Sequence, residues 1–402
     1  MLVRTGNLID GTGACAREDM GLLIANGRIA DVFPWDESVP RAEEFVDARH
    51  ATVLPGLIDV HVHPCMNPEP DAGTVQEPMG MQTVRGVHNM RAMLMGGITT
   101  IRTLGTAWEL DFNLRNAVDR GLIPGPRMIA AGRGISMTGG HGHSFSIEAD
   151  GPDQVRKAVR TCIRNGADVI KLFATGGVLT PCGIPGIPQL DLEELEAAVR
   201  EAHRHGIKLA AHAEGRKGVN DALAAGIDSI EHGYFLDNDE GIERLVRSGA
   251  WLVPTIMAYD LIANGSAHGI SSEAVANAAS ALEYNTVGFR NAVDAGAKIA
   301  MGSDAGTPLN DHGRAWRELT FMVKNGMSPM QALVAATKGG AELLGLGHDI
   351  GTLEPGKVAD FIVVNGDPLS DISEIGRVSW VVRNGVVFCR SEHDSALFPR
   401  TI

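Results

Sequence analysis

The segment GADVIKLFATGG (166–177) carries one lysine, Lys171, inside an apolar run that reads as a buried strand. A lone ammonium there is costly unless it is paired or neutralised. Metal-ligating residue types close several other short apolar runs: His61 and His63 in PGLIDVHVH, His212 in AAHAEG, His232 in IEHG and Asp304 in MGSDAG. Imidazoles with a carboxylate form the donor set of zinc-type hydrolytic sites. Histidines at i and i+2 of a strand point the same way, so His61 and His63 can grip one ion. A lysine that takes up CO₂ becomes a carbamate with two oxygens. That is the anion two cations about 3.5–4 Å apart need between them. The expected centre is two divalent cations bridged by N6-carboxylated Lys171.

Each residue alone has a plainer role. Asp304 can cap a helix, Lys171 can snorkel or pair with a carboxylate, and a single strand-end histidine can be a hydrogen-bonded core residue. Six such residues at the ends of different strands point to a metal site. The pair His203 and His205 serves as an internal control. It lies at a helix end, where i and i+2 diverge by about 200°, and reads as favourable C-terminal charge only.

What would bring these residues together is a repeated phrase, a helical stretch ending in glycine and then a short apolar run. Examples are MLMGGITTIRTLG, IRNGADVIKLFATGG, HRHGIKLAAHAEG, LAAGIDSIEHG, VRSGAWLVPTI and VDAGAKIAMGSDAG. Glycine past a helix end supplies a left-handed cap, and the apolar run suits a strand buried on both faces. With VLPGLIDVHVH (53–63) and PRMIAAGRGIS (126–136) the count reaches eight, and DLEELEAAVREAHRHG is a representative helix between strands. The expectation is a (β/α)8 TIM barrel over 53–349, whose strand C-termini open onto one mouth. The flanks 1–52 and 350–402 show alternating strands and N-G or G-D turns, and are expected to pair into one small β-sandwich made from both termini.

The 402 residues are 44% hydrophobic and carry a formal net charge of −14. That balance, without a basic run, disfavours nucleic acid and anionic membrane as partners. The five cysteines (15, 65, 162, 182 and 389) form no CxxC pair and read as reduced thiols. The N-terminal MLVRTGNLIDGTG has no signal-like apolar core, and no run reaches spanning length. A cytoplasmic protein is expected.

Together PGLIDVHVH, DVIKLFATGG, AAHAEG, IEHG and MGSDAGTP resemble the amidohydrolase superfamily over essentially the whole chain. The resemblance implies that His61 and His63 bind one cation with Asp304, that His212 and His232 bind the second, and that carboxylated Lys171 lies between. Within the superfamily the chain looks most like the imidazolonepropionase-related peptidases, namely Xaa-Pro dipeptidases (prolidases) and zinc carboxypeptidases. TGGHGHSF (138–145) and Tyr234 in EHGYFLD carry that likeness. Deaminases and true imidazolonepropionases lack the strand-4 lysine.

The implied activity is hydrolysis of an amide beside a free carboxylate, in a dipeptide or N-acyl amino acid. A water made acidic between the metals would attack, and Asp304 would take its proton and pass it to the leaving amine. His141, His143 and Tyr234 are the candidates for steadying the oxyanion or holding the substrate carboxylate. A turn held by G-H-G-H, and a tyrosine packed under a loop, are the structural alternatives. The donors suit Zn²⁺ and tolerate Co²⁺ or Mn²⁺. Relatives are commonly homo-oligomers, which the resemblance alone implies. The same chemistry would serve a carbamate, lactam, ester or organophosphate, and a scaffold without catalysis is a remote alternative.

Weaker signals are the Pro/Gly-rich loop 178–191 over the mouth, Arg102 and Arg133 as carboxylate partners, and His312 of Asp311-His312-Gly313 as a substrate or loop-ordering group. Cys65 lies two residues past His63 but adds nothing to a complete ligand set. His50, His88, His268, His348 and His393 read as surface or structural residues.

Overall fold

A computed structural model describes residues 1–36, 39, 42–69, 77–180, 184–234 and 239–389. His393, Cys182 and the last part of the 350–402 flank lie outside the described residues. Alternating apolar residues near the N-terminus form β1 (Leu2–Leu8), β2 (Arg17–Ala25), β3 (Arg28–Pro34) and β4 (Phe45–Pro55). The barrel strands follow: β5 (Leu57–Val62), β6 (Ile98–Thr103), β7 (Arg127–Ala130), β8 (Gly134–Ser136), β9 (Ser146–Glu148) and β10 (Val169–Phe173). After them come β11 (Lys208–Ala213), β12 (Ser229–His232), β13 (Trp251–Val253) and β14 (Lys298–Ile299). The C-terminal flank adds β15 (Phe361–Val364), β16 (Val378–Arg383) and β17 (Val386–Cys389).

Both termini build one unit, in the strand order β17-β16-β15-β4-β1-β2-β3. The ladder is continuous and curls over its own apolar face, enclosing Val3, Leu22, Ile29, Phe361 and Val382. The hairpin turns at Gly27 and Gly385 touch, which closes the curl.

The barrel consists of parallel arcs, β5-β6-β7 and β14-β13-β12-β11-β10-β8-β9. Backbone bonds from Asp304 N to His61 O (2.8 Å), His63 N to Ala305 O (2.9 Å) and Asp168 N to Ala130 O (2.8 Å) join them. Two segments read as single strands are divided. VLPGLIDVHVH breaks at Gly56, so its first residues belong to the terminal sheet; a Cβ at Gly56 would meet Thr99 Oγ1 at 2.2 Å. PRMIAAGRGIS breaks at 131–133, where Gly132 takes φ +69°, so β7 pairs with β6 while β8 pairs with β10.

The helix Leu192–Arg204 starts on a capping box, with Asp191 and Glu194 each bonding the other's backbone N–H. Gly166 (φ +105°) ends the helix before β10, as the helix-glycine-strand phrase requires. The main apolar core lies between strands and outer helices. Among the described residues no helix is long and apolar enough to cross a membrane.

Candidate metal centre and active site

The ends of β5, β10, β11 and β12, with the turn after β14, enclose a cavity of about 500 Å³. His61, His63, Lys171, His212, His232 and Asp304 all line it. Registry produces this convergence. Phe173 pairs with His212 and Ala213 with His232 across neighbouring parallel strands, so the strand-end groups arrive at one level.

Three of the four imidazoles are aimed by a bond on the far nitrogen. His61 Nδ1 bonds Glu231 Oε2 at 2.8 Å, His63 Nδ1 bonds the Gly105 carbonyl at 3.1 Å, and His232 Nδ1 bonds Thr255 Oγ1 at 2.7 Å. The free Nε2 atoms of His61 and His63 stand 3.4 and 3.3 Å from the same Asp304 oxygen. Ligand atoms of His61, His232 and Asp304 lie within 4.8 Å of one another. Outer partners of this kind orient metal-binding histidines.

Burial holds His61, His212 and His232 well below the ordinary imidazole value, so they are neutral donors at neutral pH. His212 Nε2 is buried with no hydrogen-bond partner among the described residues. Burial also brings Lys171 down to about 8, against the opposing pull of Glu231 and Asp304. Its Nζ lies 5.0 Å from the Phe173 ring centre. Burial alone would raise Asp304, but His61, His63 and Lys171 outweigh it and its carboxyl stays low. Neutral imidazoles, an ionised carboxylate and an orphaned ring nitrogen fit divalent cations.

Backbone strain concentrates here. His232 (φ +74°), Thr255 (φ +48°) and Asp304 (φ +56°) occupy left-handed conformations at or just beyond the ends of β12, β13 and β14. A β-branched residue such as Thr255 seldom adopts this, and such strain gathers at functional sites.

The loop after β8 brings in His141 and His143, and the turn after β12 carries Tyr234. His141 lies against His212 with ring centres 4.5 Å apart and planes tilted by 39°, and Thr180 Oγ1 contacts its Nδ1 at 2.8 Å. Thr180 belongs to the loop 178–191, of which 181–183 lie outside the described residues. His143 sits exposed at the rim, its Nδ1 bonded to the Gly140 carbonyl at 2.9 Å. Tyr234 is placed one layer back from the mouth. It is fully buried, does not line the cavity, and meets Tyr259 edge-on with ring centres 4.4 Å apart.

Both arginines read as carboxylate partners are engaged elsewhere. Arg102 is buried inside the barrel, bonding Val60 O, Ser229 Oγ and Glu231 Oε1; Arg133 bonds the Ser146 carbonyl. His312 Nε2 bonds the His63 carbonyl at 3.0 Å, so it orders the turn behind that ligand. Cys65 is buried and burial raises its thiol, which suits packing and not ligation. His203 bonds Asp228 at the helix end, and His50, His88, His268 and His348 are exposed.

Four groups carry no clear sequence signal. Glu231 orients His61. Asp59 takes bonds from Ser303 N, Ser303 Oγ and His61 N, tying β5 to the Asp304 turn. Glu214 lines the cavity, where burial raises its carboxyl to about 8, and accepts from the Tyr259 hydroxyl at 2.7 Å. Glu318 accepts from the N–H groups of Ile256 and Met257 at 2.8 and 2.7 Å, anchoring the helix that bears Tyr259. Only Asp59, Glu214 and Glu231 lie inside the motifs, each beside or two residues from a candidate ligand.

Residues 52–387 match the amidohydrolase family. The chain is 28% identical over 430 aligned positions to the ochratoxinase of Aspergillus niger, covering 96% of this chain and 86% of that protein. A Xaa-Pro dipeptidase crystal structure with methionine bound in its active site is similar at a TM-score of 0.89 and 34% identity, covering 96% of this chain and 99% of that one. A prolidase complexed with N-methylphosphonate-L-proline is similar at a TM-score of 0.87 and 29% identity, covering 97% and 99%. A match across barrel and terminal sheet alike is a statement about the whole fold, and it assigns this chain to the amidohydrolase family of hydrolases.

Proposed function

We propose that the protein is a binuclear metal-dependent amidohydrolase that cleaves an amide or peptide bond beside a free carboxylate, as a dipeptidase or carboxypeptidase. The observation that carries this reading is the shared exposure of His61, His63, Lys171, His212, His232 and Asp304 to one cavity. His61, His63 and Asp304 would hold one cation, and His212 with His232 the other. Lys171 would bridge them as its N6-carboxylate: the neutral amine adds CO₂, a C–N bond forms and one proton leaves to solvent. When bound, the cations, of which Zn²⁺ suits the donors best, acidify water and polarise the substrate carbonyl.

The chain's own groups then set the rest. Asp304 is ionised and central, placed to accept the proton of the attacking water and return it to the leaving nitrogen. His141 lies beside His212, where it can donate to the oxygen that gains charge. His143 at the rim would meet the substrate carboxylate, since among the described residues no arginine lines the cavity. Tyr234 would act through its ring contacts with Tyr259 and His232, at 4.4 and 6.4 Å between centres. The similarity to a Xaa-Pro dipeptidase and to ochratoxinase supports amide cleavage.

The test is amino-acid release by protein loaded with zinc and bicarbonate. The panel holds Xaa-Pro dipeptides, other dipeptides and N-acyl amino acids, with Asp304→Asn as the blank. Release that needs Asp304 and the free carboxylate supports a peptidase. Silence with two metals bound sinks the peptidase and moves the search to lactams, carbamates and esters.

A further inference from the structure

Glu214 follows His212 by two residues on and just past β11, so the two side chains leave the chain on the same side. It is completely shielded from bulk solvent yet lines the cavity. Its Oε1 accepts from the Tyr259 hydroxyl at 2.7 Å and lies 3.5 Å from His212 Nε2. Its Oε2 is buried without any hydrogen-bond partner among the described residues. An unpaired buried acceptor is costly, which marks the position for a donor that a ligand brings. The hydrolytic reading above gives Glu214 no task.

We propose that Glu214 receives the free α-ammonium group of the substrate, making an unblocked amino terminus a determinant of specificity. This rests on the amide-hydrolase reading. In a dipeptide the α-nitrogen is one carbon away from the scissile carbonyl carbon, about 2.5 Å. A carbonyl brought up to His212 and His232 therefore carries its α-nitrogen into the space beside His212, where Glu214 stands. Tyr259 holds Oε1 and so fixes the turn of the carboxyl group, leaving Oε2 as the presented atom. An arriving ammonium favours the ionised carboxyl over the protonated form that burial favours, and ammonium-to-carboxylate bonds are among the stronger hydrogen bonds. Lys171 is the only ammonium among the described cavity residues and is assigned to the metal bridge, so no other ammonium among them competes for the place.

The experiment compares Leu-Pro with N-acetyl-Leu-Pro on the metal-loaded protein, in the wild type and in Glu214→Gln. The wild type is expected to favour the free amine in kcat/KM, and the variant to shrink that ratio about tenfold or more. Calorimetry with a phosphinate analogue of Leu-Pro, which cannot be turned over, and with its N-acetyl form reads the same preference without catalysis. An unchanged ratio in the variant overturns the proposal, as does equal binding of the two analogues. Loss of a cation in Glu214→Gln, with both substrates falling together, makes Glu214 a metal donor and also overturns it. Preferred binding of the free amine with neither substrate cleaved keeps the ammonium site and overturns the hydrolase reading instead.

Discussion

Glu231 and His61 meet inside the barrel, Oε2 to Nδ1 at 2.8 Å, with both side chains almost fully sealed from solvent. The other carboxylate oxygen receives Arg102 at 2.7 Å and the Ser229 hydroxyl at 2.5 Å. In Glu231→Gln one amide nitrogen must oppose either Arg102 or the His61 ring N–H. Losing one partner of a buried pair costs about 3–5 kcal/mol. Loss of the outer bond to a metal-binding histidine lowers metal affinity about 10–100-fold. Urea unfolding and a chelator-competition titration read the two effects; unchanged cation affinity would detach Glu231 from the metal centre.

Lys171 offers a second test. Cations that bind only the folded protein stabilise it by mass action, so chelation should lower the melting temperature and reloading should restore it. Lys171→Ala should retain the barrel by circular dichroism but hold fewer than two tight cations and lose activity. A variant with two tight metals and full activity would end the case for a bridging carbamate.

The candidate ligands could be read from sequence because each is a polar side chain in or just past a short apolar run, where its type contradicts its surroundings. Glu231 and Arg102 were harder. Glu231 stands one position before His232, and Arg102 stands on β6, which bears no candidate ligand, so nothing local tells an inward-facing ion pair from a substrate contact. Tyr259 and Glu318 lie on helices whose turns carry no motif. Glu318 meets Ile256 only through a contact spanning 62 positions. The division of PRMIAAGRGIS turns on Gly132 adopting a left-handed conformation, which an isolated glycine permits but does not announce.

Glu318 makes stability depend on pH. Burial drives its carboxyl well above 4.5, and the two backbone donors from Met257 and Ile256 offset this only in part. An acid with a raised native pKa binds more protons folded than unfolded, so its contribution is complete below the unfolded value and declines as pH rises. The difference in unfolding free energy between wild type and Glu318→Gln should therefore shrink from about pH 5 toward pH 8. Denaturant titrations across that range check it. A difference that grows with pH would mean that the helix N–H groups outweigh burial.

Gly177 separates packing from chemistry. A Cβ there would lie 2.8 Å from His141 Cε1 and Nε2 and 2.9 Å from His212 Cε1, closer than real side chains approach. The rings are already in contact at 4.5 Å, and His141 is tied to Thr180 while His212 faces His232 at 4.6 Å. Neither ring can retreat without moving the site. Gly177 has no positive φ, so Gly177→Ala adds no backbone strain and the fold should persist. Displacing a positioned group by about 1 Å can cost about a hundredfold in rate. Gly177→Ala should thus lose one to two orders of magnitude in kcat/KM, with a melting temperature within about 2–4 °C of wild type, the shift expected from roughly 1 kcal/mol in a large domain. Because the clash falls on His212 and His141 while His61, His63 and Asp304 are untouched, metal analysis should show the loss confined to one cation. Full activity in Gly177→Ala would show that the His141–His212 contact tolerates displacement and plays no part in turnover.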